Sequence, residues 1–228
     1  MADSIDTYIL LSAKSWHDSL FSSLQKTINA SWIRINENDE FTYENLIKLN
    51  PKKIFIPHWS EIIPSDIFNN FNCVVFHMTD LPYGRGGSPL QNLIERGHTE
   101  TFISAINVEA GLDTGDIYLK YPLSLEGTAA DIFKRAAAVI EKMIIEMIVT
   151  NPVPKKQEGE VVIFKRRKSD QSNIENLETL SEVYDFIRML DCEGYPNAYI
   201  ETKHFKIEFN NAVNNDNVIN AHVRIIKK

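Results

Sequence analysis

Short apolar runs recur through the first third of the chain, at Tyr8 to Leu11, Ala30 to Ile35, Lys53 to Ile56 and Cys73 to Phe76. Between them lie stretches with helical spacing: Trp16, Leu20, Leu24 and Ile28, then Tyr43 to Leu49, then a helix start at Pro64 to Phe68. Strands that lack apolar/polar alternation must be buried on both faces, and helices between them supply the covering layers, so this pattern predicts a parallel sheet of the doubly wound α/β class.

Further along, the periodicity changes. After the irregular segment Leu81 to Ser88, Pro89 to Glu95 predicts a helix with proline in its first turn. Thr101 to Val108 and Ile117 to Leu123 repeat every second residue, as half-exposed strands do, with a glycine-rich corner between them. The longest helix is expected from Thr128 to about Ile148, its apolar stripe running through Ala129, Ile132, Phe133, Ala136, Ile140, Met143, Ile144 and Met147. Residues 1–150 are therefore expected to form the main domain. Residues 151–180, with Pro152, Pro154 and few apolar side chains beyond a short strand ending in Phe164, are expected to be a linker. Residues 181–228 predict a small α+β or partial-barrel module: a helix over Ser181 to Leu190, then strands at Tyr199–Ile200, His204–Phe209 and Val218–Ile226, parted by an Asn-rich turn from Asn210 to Asn217.

A chain of 228 residues, 43% hydrophobic and 24% charged, suits one large domain or a domain with an appendage. Its formal charge of −7 opposes polyanions, which argues against nucleic acid as a partner. The one dense basic run, Lys165-Arg166-Arg167-Lys168, reads first as solvated surface and second as an anion site. Two cysteines, Cys73 and Cys192, fit neither a disulfide framework nor a thiolate metal site. No run approaches the roughly 18 apolar residues of a membrane span, and the first residues carry no leader pattern, so a cytoplasmic protein with neither metal nor membrane is expected.

Nucleotide-binding glycine motifs, a serine elbow and a zinc helix pair are all absent from the sequence. Among the histidines, His77 stands apart because it ends an apolar strand ahead of an irregular loop, where open α/β sheets bind ligands. His58 also follows a strand and is expected to belong to the site without doing chemistry. The corner Val108-Glu109-Ala110-Gly111-Leu112-Asp113-Thr114-Gly115-Asp116 supplies carboxylates on a glycine-bounded loop. Taken alone it is a turn; taken with His77 it makes an acid/base pair, the Asp orienting the imidazole, that suits proton transfer during attack on a carbonyl.

The stretch from His77 through Leu81-Pro82-Tyr83-Gly84-Arg85-Gly86-Gly87-Ser88-Pro89 resembles the His-x-Ser-Leu-Leu-Pro…Arg-Gly…Pro loop of the folate-dependent formyltransferases. Gly111-Leu112-Asp113-Thr114-Gly115-Asp116 is similar to their Leu-Asp-x-Gly loop, at a matching separation of 36 residues. Phe164 to Lys168, Asp185 to Leu190 and Gly194 to Tyr199 resemble the junction and C-terminal start in methionyl-tRNA formyltransferase and sugar-nucleotide N-formyltransferases. The resemblance implies a formyltransferase-like Rossmann variant that moves a formyl group from N10-formyltetrahydrofolate to a primary amine. It gives His77, Asp113 and Thr79 catalytic roles, and places Trp59, Ile62, Arg85, Gly86, Gly87, Val108, Gly111, Leu112 and Asp116 around the folate. One position departs from the pattern: the family has Asn two residues before the His, stabilising the oxyanion, and this chain has Val75. Thr79, Ser60, Asn107 and protonated His77 are the substitutes in view.

Acidic charge and a short tail make the chain look most like the sugar-nucleotide enzymes. The implied acceptor is a UDP- or dTDP-linked amino sugar, with Arg85 and the 165–168 run as candidates for its pyrophosphate and Trp59, Tyr83 and Tyr195 as stacking surfaces. Small-molecule substrates and a homodimer fit this expectation. The alternatives are a folate- or nucleotide-binding homologue without turnover, a formyltetrahydrofolate hydrolase, or formylation of another amine such as an aminoacyl-tRNA.

Overall fold

The computed structural model describes residues 5–228. In chain order the elements are β1 (Thr7–Leu11), α1 (Asp18–Thr27), β2 (Ser31–Ile35), α2 (Tyr43–Leu49), β3 (Lys53–Ile56), α3 (Ser65–Phe68), β4 (Cys73–His77), β5 (Tyr83–Gly86), α4 (Pro89–Glu95), β6 (Glu100–Asn107), β7 (Ile117–Ser124), α5 (Ala129–Thr150), β8 (Val162–Phe164), α6 (Leu180–Arg188), β9 (Ala198–Glu201), β10 (Phe205–Asn215) and β11 (Val218–Lys227). The central sheet has the order β2-β1-β3-β4-β6-β7. Strands β2, β1, β3 and β4 run parallel, and β6 joins β4 antiparallel. The mixed α/β class expected from the apolar runs is what forms.

Alternation along the strands divides the core between the two sheet faces. One face carries Tyr8, Trp32, Phe55 and Phe76, whose rings meet at centroid separations of 5.2 to 6.3 Å. The other carries Ile9, Leu11, Ile35, Ile54, Ile56 and Cys73, all at most 2% exposed, with Val75, Val108 and Trp59 packed against them. Both faces are dry, which is why no strand in this part of the chain needed alternation. Thr42 caps α2 by accepting from the backbone N–H of Asn45, and Thr179 with Glu182 forms a capping box on α6.

By compactness the chain forms two units that interleave in sequence. The first contains residues up to Arg85, Phe102–Leu123 and Lys134–Ile163, and holds most of the central sheet. The second contains Gly86–Thr101, Ser124–Phe133 and Phe164–Lys228. In it Arg188 donates to the carbonyls of Leu125 and Gly127 at 2.6 and 3.1 Å, tying the end of α6 to the segment ahead of α5. Its antiparallel sheet has the order β11-β10-β9.

Two expectations change. The Asn-rich stretch 210–217 is not a long turn: β10 continues to Asn215 and the chain reverses only at Asp216 and Asn217. A ladder uses backbone groups, so polar side chains do not end it. The register shift between Asn210 and Val213, with Asn211 at φ +49°, absorbs the extra residues as a bulge. The segment after Leu81 also contains regular structure, because β5 pairs with β8.

Candidate active site

His77 is the last residue of β4 and only 7% exposed. Strand alternation puts it on the same face as Cys73 and Val75. The loop after β6 leaves beside Val74, and Val108 joins the cluster under this face, its N–H bonded to the Cys73 carbonyl at 3.0 Å. Further along that loop, Asp113 brings Oδ2 to 3.5 Å from His77 Nδ1. On its other side, His77 Nε2 lies 2.8 Å from the carbonyl oxygen of Gly84, which also accepts from Thr79 Oγ1 at 3.4 Å. Both ring nitrogens therefore face acceptors. A neutral imidazole has one N–H, which it can donate to one of the two acceptors at a time.

The loop has little freedom. Asp113 sits at φ +53°, in the left-handed region where a short carboxylate side chain is tolerated better than most. Asn107 N–H donates to the Asp116 carbonyl at 2.9 Å. A Cβ at Gly115 would come within 1.8 Å of the Asn107 carbonyl oxygen, so only glycine allows the chain to cross there. From outside, Gln157 Nε2 donates to the carbonyls of Asp113 and Gly115, both at 2.8 Å, while its Oε1 accepts from Arg85 Nε and Nη2 at 3.0 and 2.8 Å. One side chain thus ties the Asp113 loop to Arg85. Gln157 had no signal in the sequence, because nothing marks a single glutamine among prolines and lysines.

The remaining expected residues distribute as follows. Ile62 and Leu112 project into solvent, 90% and 66% exposed, on the loops after β3 and β6. Trp59 and Val108 are half-buried against the core, and Trp59 Nε1 is buried without a hydrogen-bond partner among the described residues. Gly111, at φ +124°, and Asp116 flank Asp113 in the loop. Gly86 and Gly87 belong to the other compact unit and lie against Phe164 and Arg166, where a Cβ would come within 2.2 and 2.6 Å. Of the basic run, Arg167 is engaged by Glu95 at 2.5 Å and by the Gln171 carbonyl at 2.6 Å. Tyr195 stacks on Phe133 at 5.4 Å, and burial pushes its hydroxyl pKa up. Among the oxyanion substitutes, Thr79 is fully buried beside His77, whereas the register pairs Asn107 with Val74, on the face opposite His77.

A second polar group occupies the carboxyl ends of β1 and β3. Ser12 Oγ lies 2.7 Å from His17 Nδ1, and the His58 ring meets Trp16 edge-on at 5.6 Å. Burial lowers the His17 pKa to about 3, with His58, Arg34 and Lys14 adding repulsion, and burial lowers that of His58 to about 4, with Lys14 adding to it. Burial raises the Cys73 thiol to about 12. Among the described residues no group of three or more His, Cys, Asp or Glu is placed to hold a metal ion, and no helix is long and apolar enough to cross a membrane.

A mostly parallel α/β sheet followed by a small antiparallel sheet, with a histidine at a strand end and a carboxylate loop folded against it, puts the chain in the class of formyltransferase-like α/β folds. Within that class the chain belongs to the formyl transferase family, whose model matches residues 20–148, and a second model, the C-terminal domain of methionyl-tRNA formyltransferase, matches residues 169–226. A solved structure, methionyl-tRNA formyltransferase from Clostridium thermocellum, is 49% identical, with a TM-score of 0.96 over 98% of this chain and 100% of that one. The methionyl-tRNA formyltransferase of Bacillus thuringiensis (strain Al Hakam) is 31% identical over 176 residues, 73% of this chain and 55% of its own length. The chain spans about half the length of the curated relatives it matches. A sugar N-formyltransferase from Shewanella sp FDAARGOS_354 shares the fold, with a TM-score of 0.66 at 15% identity over 95% of this chain and 96% of that one. The family resemblance holds, but its finer placing shifts: the relatives of higher identity carry the methionyl-tRNA name, not the sugar-nucleotide one. A net charge of −7 accordingly no longer excludes nucleic acid as a partner.

Proposed function

We propose that this protein transfers a formyl group from N10-formyltetrahydrofolate to a primary amine, and that His77 and Asp113 relay the proton the amine gives up. The observation that carries this reading is the contact between the two side chains, 3.5 Å apart and both largely shielded from water. A bound folate would supply an activated formyl group. Ile62 and Leu112 fit it as exposed apolar side chains, the kind of surface that a flat heterocycle covers. Thr79 acts with Gly84 to set the ring plane of His77, and Asp113 stabilises the ring while it carries the extra proton. The arriving amine must be neutral, since an ammonium has no lone pair.

For the acceptor, the methionyl amine of an aminoacylated tRNA has the stronger support, through the 49% identical relative of that name. A nucleotide-linked amino sugar is the second reading, favoured by the acidic charge, which opposes a polyanionic partner. The test is mass spectrometry after incubation with N10-formyltetrahydrofolate and, in parallel, methionyl-tRNA and a panel of UDP- and dTDP-linked amino sugars. One acceptor should gain a formyl group, and His77→Ala should slow the reaction by ~10²-fold or more. Release of tetrahydrofolate without any modified acceptor would mean that water is the acceptor. The absence of both formylated product and tetrahydrofolate release would refute the reading.

A further inference from the structure

At the amino edge of the central sheet, away from His77, a cavity of about 150 Å³ is lined by Tyr8, Lys52, Lys53, Met147, Ile148 and Asn151. Lys53 opens β3 and is only 7% exposed, yet among the described residues no carboxylate lies within ion-pair distance of it. Its ammonium has the Asn151 Oδ1 at 3.4 Å and the Tyr118 ring at 5.1 Å. Burial, and after it the neighbouring Lys52, both lower its pKa. A buried cation of this kind is costly unless something negative completes it.

We propose that this cavity binds a compact oxyanion, a phosphate or a short-chain carboxylate, between Lys53 and Lys52. Among the lining residues, Lys52 and Lys53 carry ammoniums that can act as charge-assisted donors, Tyr8 and Asn151 carry a hydroxyl and an amide, and Met147 and Ile148 add apolar surface. The charges balance in favour of an anion. Lys52 is shared with Asp6 at 2.6 Å, so the mouth carries two positive groups against one negative. Asn151, at φ +44°, follows directly on the end of α5. Tyr8 pairs in register with Lys53, and Ile54 with Cys73. The cavity therefore lies roughly 15 Å down the strands from His77, at about 3.3 Å per residue, and is separate from the candidate active site.

The test is isothermal titration of the full chain with inorganic phosphate and, separately, with butyrate, alongside thermal unfolding in each. Saturable binding of either probe is expected, and the probe bound names the source. Lys53→Met should weaken it about tenfold or more, and Asp6→Asn should tighten it by several fold, since the competing carboxylate is gone. Lys52→Gln and Asp6→Asn alter exposed side chains and keep the test decisive if Lys53→Met fails to fold. Absence of saturable binding, or binding that none of these substitutions changes, would overturn the proposal.

Discussion

Replacing Gln157 with methionine keeps the side-chain length and removes all four hydrogen bonds that hold the Asp113 loop against Arg85. Two carbonyls and a guanidinium lose their partner in a half-buried place, where water reaches them only in part. The expected loss of stability is about 1 to 3 kcal/mol. Activity should suffer more than stability. The His77–Asp113 separation of 3.5 Å is already at the long end for a useful contact, so on the proposed mechanism a loop shift of even one ångström should break the relay and cost on the order of 10²-fold in kcat. Because Gln157 touches the loop and not the acceptor, KM for the amine should change little. Gln157→Glu separates the two halves of the bridge: its carboxylate still accepts from Arg85, now as an ion pair, but it faces two carbonyls that it cannot donate to. That variant should keep the Arg85 contact, lose stability through the unpaired carbonyls, and still lose turnover. The assay is steady-state release of tetrahydrofolate with the acceptor present, together with hydrogen exchange of the amides in 108–116. Unchanged kcat in Gln157→Met, with the loop amides as protected as before, would refute the reasoning.

Three further outcomes are expected. Burial keeps His17 and His58 neutral down to about pH 3 and pH 4, while in the unfolded chain both protonate below about 6.5. Above pH 6.5 these groups contribute no pH dependence; below it the unfolded state binds two protons that the folded state refuses, so stability should fall by up to about 2.7 kcal/mol per pH unit between pH 6 and pH 4.5. Urea unfolding across that range checks this, and a His58→Gln variant with the same slope as the parent would argue against it. Gly115→Ala, whose Cβ would strike the Asn107 carbonyl, should cost on the order of 3 kcal/mol and most of the activity, whereas Gly97→Ala meets nothing within 4 Å and should cost only about 1 kcal/mol of backbone strain at φ +79°; thermal melts that rank the two the other way would count against the packing argument. Val75→Asn should lose about 1 to 3 kcal/mol of stability by placing an amide against the core, yet raise turnover by up to about 10²-fold if the oxyanion lacks a donor; a folded variant with equal or lower turnover would mean that Thr79 or His77 already fills that role.

The parts of this protein that were legible in advance are those set by local pattern. Apolar runs such as Ile54-Phe55-Ile56 are buried on both sheet faces because no alternation leaves them a wet side. The histidine at the end of β4 and the glycine-bounded Asp113 loop announced themselves by residue type and spacing. Contacts between distant segments left no such trace. Gln157 reaches back 44 residues to Asp113 and 72 to Arg85, and Lys53 meets Asn151 across 98. The strand through Asn210 to Asn215 stands where polarity predicts a turn for a related reason, since a ladder joins backbone to backbone and side-chain polarity records only what surrounds it. Propensity and periodicity act over a few residues, so the sequence by itself determined most of the elements, their order and the two groups of the candidate relay, but not β5 or the full length of β10. The closure of the loop that aims Asp113, the pairing of Ser12 with His17 and the isolation of the Lys53 ammonium were decided by the tertiary structure, because each depends on which far segment packs alongside.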